Sequence, residues 1–193
     1  GYGSVVRTAA VETGDHVAVF GCGGVGTAAV VAASRAGAAT VVAIDPDPDQ
    51  RALAGRLGAD LCLDPDDDVA TTIRRATDGE GLDVAIEAAG HHDVLALAFR
   101  CLGVGGTVVQ VGSPRPVDHL PIALPQLFLK RATITASIYG DTEPRVGVPE
   151  LLDLYRSGEL PLDEFVGGTI GLSEVPAWFA APTSGRRTVV VPD

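Results

Sequence analysis

Short apolar runs alternate with helix-patterned stretches along the first two thirds of the chain. Residues 16–20, 40–44, 61–63, 83–88 and 107–111 are runs of mostly apolar, often β-branched side chains. They predict strands buried on both faces. The stretches between them, 27–36, 50–57, 69–76 and 93–102, predict helices. The first is alanine- and valine-rich and stopped by Gly37, while Leu53 and Leu57 stand one turn apart in the second. Strands separated by helices imply right-handed crossovers and a parallel sheet. The pattern therefore predicts an α/β fold, doubly wound, with helices on both faces. A proline-rich stretch follows at 114–125. Beyond it the pattern predicts a strand at 132–139, a helix at 149–156, a strand at 169–172, a helix at 176–181 and a last strand at 188–191. There is no internal repeat or long linker, so one domain across 1–193 is expected.

Composition narrows the partners. The 193 residues carry a formal charge of −11, which repels phosphate backbones and argues against nucleic acid. The acidic runs at 45–49 and 64–68 contain prolines and read as solvated loops, Asp45 apart. No apolar run approaches the ~18 residues of a membrane span. Cys22, Cys62 and Cys101 are widely spaced and odd in number, which argues against a disulfide framework and against a zinc knuckle. A reducing cytoplasm is the expected setting. The chain lacks methionine and opens on Gly1-Tyr2-Gly3-Ser4, without a signal-peptide pattern. It is expected to begin inside a larger protein.

One motif carries chemistry. Gly21-Cys22-Gly23-Gly24-Val25-Gly26 follows the first predicted strand and opens the first predicted helix. A bare Gly-x-Gly-x-x-Gly is weak in a glycine-rich chain, but this context gives each glycine a task. Gly21 permits the turn off the strand, Gly23 lets a pyrophosphate approach the backbone, and Gly26 lets helix and strand pack closely. Free N–H groups at the helix start then face the phosphates. Asp45 ends the next strand. Its carboxylate suits the hydroxyls of an adenosine ribose and repels a 2′-phosphate, so NAD is favoured over NADP. An S-adenosylmethionine-dependent methyltransferase also uses a glycine loop and an acid, but its loop is usually preceded by an acidic residue, where Val19 and Phe20 stand here. A short-chain dehydrogenase needs Tyr-x-x-x-Lys, and the only lysine, Lys130, lies in no such pair.

At this point the sequence resembles the zinc-containing alcohol dehydrogenases of the medium-chain dehydrogenase/reductase superfamily. The likeness runs through Gly1-Tyr2-Gly3-Ser4, the segment from Gly14 into Gly26, Ala36-Gly37-Ala38 and Val42-Ala43-Ile44-Asp45. It continues through Leu57-Gly58-Ala59, Asp83-Val84 with Glu87 and Gly90, Gly105-Gly106-Thr107, and Ser184-Gly185-Arg186-Arg187-Thr188-Val189. It implies a Rossmann-type sheet in which Asp45 holds the adenosine ribose and Gly23, Gly24 and Val25 hold the pyrophosphate. Arg187 would bind a phosphate. Backbone groups of Val111, Ser137 and Tyr139 would hold the nicotinamide amide. Gly112 belongs to the same turn as Val111, Ser113 and Ile138 would lie near the substrate end, and Ala88 and Ala89 beneath the adenosine side.

The resemblance also has departures. Gln50 stands where the family often has a lysine, and His91 where an arginine often flanks the adenine, so both are candidate cofactor contacts, Gln50 at the ribose and His91 stacked on the adenine. The family's catalytic zinc ligands and proton relay belong to a separate, mostly N-terminal domain, so no metal site and no catalytic residue is expected in this chain. The implied parent activity is NAD-dependent oxidation of a small alcohol or reduction of an aldehyde. The alternatives are the cofactor domain of a zinc-free quinone or enoyl reductase, and a non-catalytic NAD-sensing or oligomerisation module. The resemblance further implies a homodimer formed through the strand at 132–139.

Overall fold

The computed structural model describes residues 1–120, 122–180 and 187–192. Strand β1 (His16–Phe20) shows how the sequence builds both layers at once. Val17 and Val19 enter one apolar cluster with Ala29, Val30 and Ala33 of helix α1 (Gly24–Arg35). Ala18 and Phe20 enter the opposite cluster, with Leu95 and Phe99 of helix α4 (His92–Cys101) and Ile73 of helix α3 (Val69–Ala76). Side chains alternate across a strand, so an uninterrupted apolar run must be covered on both faces. The doubly wound reading is borne out.

The other strands of this sheet are β2 (Thr40–Ile44), β3 (Leu61–Leu63), β4 (Leu82–Glu87), β5 (Leu102–Gln110) and β6 (Thr133–Ala136), and helix α2 (Pro48–Arg56) joins β2 to β3. The order is β3-β2-β1-β4-β5-β6, with every pairing parallel. The chain first winds from β1 toward β3, then restarts beside β1 and winds the other way. The reversal lies between β1 and β4. Among the described residues no helix is long and apolar enough to cross a membrane.

Three expectations need correcting. The strand expected at 132–139 stops at Ala136. Ser137 still donates to Gln110 O, but Tyr139, Gly140 and Asp141 then take positive φ values of 52°, 65° and 49°, which no strand accommodates. The proline-rich stretch hides helix α5 (Leu124–Lys130), because Pro125 sits in its first turn, where a missing N–H breaks no helical bond. Helix α6 (Pro144–Arg156) starts a full turn before 149 and holds Pro149 inside it.

The chain's internal contacts divide it into units 1–143 and 144–193, where the sequence suggested one domain. In the second unit, β7 (Val166–Gly171) and β8 (Arg187–Val191) form a parallel pair, and helix α7 (Val175–Ala180) covers the stretch expected at 176–181 as far as the described residues go.

Candidate functional site

A parallel sheet delivers the residues that follow its strands to one edge. Gly21 follows β1, Asp45 follows β2, Ala88 follows β4, Val111 to Ser113 follow β5, and Ser137 to Tyr139 follow β6. Where the winding reverses, the loops part and leave a crevice. That crevice is a mostly apolar cleft of about 350 Å³, with Phe20, Gly21, Gly23, Asp45, Pro46 and Ala88 among its lining residues. The structure thus brings five of the predicted site residues, Gly21, Gly23, Asp45, Ala88 and Ala89, around one cavity.

The glycine loop is as tight as its spacing suggests. Gly21 has φ +92°, and a Cβ there would stand 2.8 Å from Ala89 N. A Cβ on Gly26 would stand 1.7 Å from Gly21 O, closer than any atom pair tolerates. Thr27 Oγ1 ties the turn shut by donating to Cys22 O at 2.7 Å. Gly23 is the N-cap of α1 and supplies no side-chain cap. The first-turn N–H groups, including those of Gly24 and Val25, are therefore left for a ligand, at the positive end of the helix dipole.

Asp45 is 8% exposed and forms part of the cleft wall. Its Oδ2 accepts from Cys22 N at 2.6 Å and its Oδ1 from Asp47 N at 2.8 Å. These bonds fix the carboxylate against the glycine loop, and each oxygen keeps a second lone pair for a hydroxyl donor. Arg51 Nη1 donates to Asp45 O and to Asp64 Oδ2, so this arginine braces the β2 end rather than pointing into the cleft.

Other predicted residues sit differently. Gln50 is buried on α2 and is not among the cleft-lining residues; its Nε2 has no partner among the described residues. His91 caps α4 through Nδ1, accepting from Asp93 N at 3.3 Å, and its ring stacks on His92. Ile138 and Tyr139 are exposed, whereas Ser137 is buried. Arg187 opens β8 in the second unit and is exposed. Ser184, Gly185 and Arg186 lie outside the described residues.

Glu87 matches the resemblance but received no role from the sequence. It is fully buried at the end of β4, and its Oε1 accepts from Ala89 N at 2.9 Å, Gly90 N at 2.7 Å and His91 N at 3.4 Å. Its main-chain oxygen accepts from Val111 and Gly112. Gly112 has no room for a side chain: a Cβ there would stand 2.2 Å from Gly90 N and 2.9 Å from Glu87 Oε2. One residue therefore joins the two loops, its side chain holding the loop after β4 and its main-chain oxygen the loop after β5. Burial pushes its carboxyl above the usual glutamate range, against the pull of the three amides. The only sequence signal for this was an acid closing the apolar run Val84 to Ile86.

All three cysteines are free. Burial pushes the Cys22 thiol up to about 12 and the Cys101 thiol to about 11. Among the described residues no three His, Cys, Asp or Glu side chains stand together as a metal site requires. No set of the described residues therefore fits a zinc ion.

Residues 24–157 match the family described as zinc-binding dehydrogenase. The chain belongs to that family. It is 36% identical over 168 residues to geraniol dehydrogenase of Castellaniella defragrans, covering 86% of this chain and 45% of that protein. A zinc-binding domain alcohol dehydrogenase from Burkholderia ambifaria superposes with a TM-score of 0.87 at 36% identity, over 93% of this chain and 48% of that one. A putative zinc-binding dehydrogenase from Sinorhizobium meliloti, solved bound to NADP, superposes with a TM-score of 0.88 at 28% identity, over 99% of this chain and 56% of that one. The chain spans about half the length of these relatives.

Proposed function

We propose that the chain binds and orients NAD in a zinc-type dehydrogenase that oxidises a small alcohol or reduces an aldehyde. The observation that carries this reading is the joint between the glycine loop and Asp45, where the carboxylate is locked to Cys22 N beside an uncapped helix start. In this reading Gly23, Gly24 and Val25 hold the pyrophosphate and Asp45 the adenosine ribose. Backbone groups of Val111, Ser137 and Tyr139 hold the nicotinamide amide, and Arg187 takes a phosphate. When bound, the nicotinamide supplies hydride transfer, and this chain supplies position. The zinc chemistry belongs to residues outside this chain, so the chain alone is expected to bind NAD without turnover.

Selectivity for NAD rests on Asp45. Its charge would face a 2′-phosphate across a cleft wall that is mostly apolar and poorly screened. Calorimetric titration is expected to give NAD at least a tenfold advantage over NADP, about 1.4 kcal/mol. Asp45→Asn should erase most of it. Tighter binding of NADP by the unchanged chain would sink the assignment of Asp45.

The reading extends to assembly and setting. Strand β6 is an edge of its sheet, with Thr133, Ile134 and Ala136 exposed. An edge strand offers unpaired backbone groups to a second copy. A homodimer through β6 is the proposed state, in a reducing cytoplasm that suits three free cysteines. Ile134→Pro removes a backbone donor that faces the open edge and should yield monomers in small-angle scattering. An intact dimer would show that the contact lies elsewhere.

A further inference from the structure

The chain enters the first unit through one turn of π-helix, Ser4–Thr8. Such turns are rare and often sit at functional sites. This one lies against the turn that follows β6. A Cβ on Gly3 would stand 2.3 Å from Gly140 O, so the two backbones touch directly. Arg7 Nη1 donates to Gly140 O at 3.4 Å. Thr8 Oγ1 lies 2.7 Å from Ser137 Oγ and also hydrogen-bonds the Asp141 carboxylate. Thr8 has one hydroxyl proton, and a carboxylate can only accept. The proton therefore goes to Asp141, and the buried Ser137 hydroxyl donates to Thr8 Oγ1.

The turn so gripped needs holding. Tyr139 and Asp141 have side chains that rarely adopt positive φ, and they flank Gly140 in the same conformation. Such a run persists only where its surroundings over-determine it. Thr8 bonds to both ends of the turn, at Ser137 and Asp141, and leaves the Ile138 and Tyr139 side chains facing out.

We propose that the Ser4–Thr8 turn is a brace for the 137–141 turn, and that Thr8 is a positioning residue for the nicotinamide end of the cofactor. The proposal rests on the NAD reading above, in which Ser137 and Tyr139 hold the nicotinamide amide. Thr8 acts through those residues and touches no ligand itself. Its effect should therefore be confined to one half of the dinucleotide.

The test compares NAD with ADP-ribose, which lacks only the nicotinamide, by calorimetry on the 193-residue chain. Thr8→Val keeps the shape and removes the hydroxyl, while Thr8→Ser keeps the hydroxyl. Thr8→Val is expected to weaken NAD roughly tenfold, the scale of one lost hydrogen bond to a charged group, and to leave ADP-ribose within about twofold. Thr8→Ser should restore NAD binding. Without ligand, amide exchange at 138–141 should quicken in Thr8→Val alone. Equal weakening of both ligands, or unchanged NAD binding, overturns the brace while leaving the dinucleotide reading intact. An unaltered chain that binds neither ligand overturns the NAD reading, and the proposed role of Thr8 with it.

Discussion

Gly26→Ala should destabilise the chain by about 3 kcal/mol or more and abolish dinucleotide binding. The added methyl would stand 1.7 Å from Gly21 O and 3.3 Å from Val19 Cγ1. Neither the loop backbone nor the β1 core can retreat without opening the turn, and overpacking of this kind commonly costs ~1–3 kcal/mol even where side chains alone must move. Gly14→Ala is the control. Gly14 has φ +100° but nothing within 4 Å of a new Cβ, so its cost is conformational only, about 1 kcal/mol. Urea unfolding should separate the two variants clearly. Equal midpoints would mean that the β1–α1 turn yields easily, and that Gly26 does not set the close approach of helix and strand.

Glu87→Ala should be nearly as damaging, by about 2–4 kcal/mol. It empties a fully buried position and removes the acceptor shared by the amides of Ala89, Gly90 and His91. Glu87→Gln retains an acceptor oxygen and discards the charge, and this pair of variants separates the two roles. Because burial raises the Glu87 carboxyl in the fold, the folded chain holds that proton more tightly than the unfolded chain. The stability it contributes is present at low pH and fades as pH rises from the ordinary glutamate range through the raised value. Relative to the unaltered chain, Glu87→Gln should thus gain stability on going from pH 4 to pH 8. A pH-independent difference between the two proteins would refute the account of the buried carboxyl. The neighbouring titratable group is His91, whose charge when protonated would favour the carboxylate.

Much of the sheet could be read from the sequence, because a strand covered on both faces leaves an uninterrupted apolar run. The runs at His16–Phe20, Thr40–Ile44 and Leu61–Leu63 became strands with those same limits. The glycine loop and the position of Asp45 were also legible, since both follow from local geometry at strand ends. The end of β6 was not. Residues 137–139 look extended from composition, but they turn because a segment near the start of the chain grips them, and no local pattern carries that information. Helix α5 was masked by Pro125, which reads as a breaker unless the helix start is already known. The role of Glu87 needs three amides from a loop that adopts its shape only when folded. The orientation of Gln50, buried rather than facing the cleft, depended on packing around α2.

The strand order also dictates an order of assembly. β1 lies mid-sheet, flanked by β2 and by β4. The glycine loop comes early in the chain, yet one wall of its cleft, Ala88 and Ala89, arrives only after three intervening helices and three further strands. A chain growing from its N-terminus would first present β1 as a bare edge, apolar on both faces and open to pairing with another molecule. Pairing β1 with β4 closes a long loop before any contact rewards it, which slows folding. Until that pair forms the cleft lacks a wall, so on the NAD reading proposed above a dinucleotide would stabilise only the finished sheet.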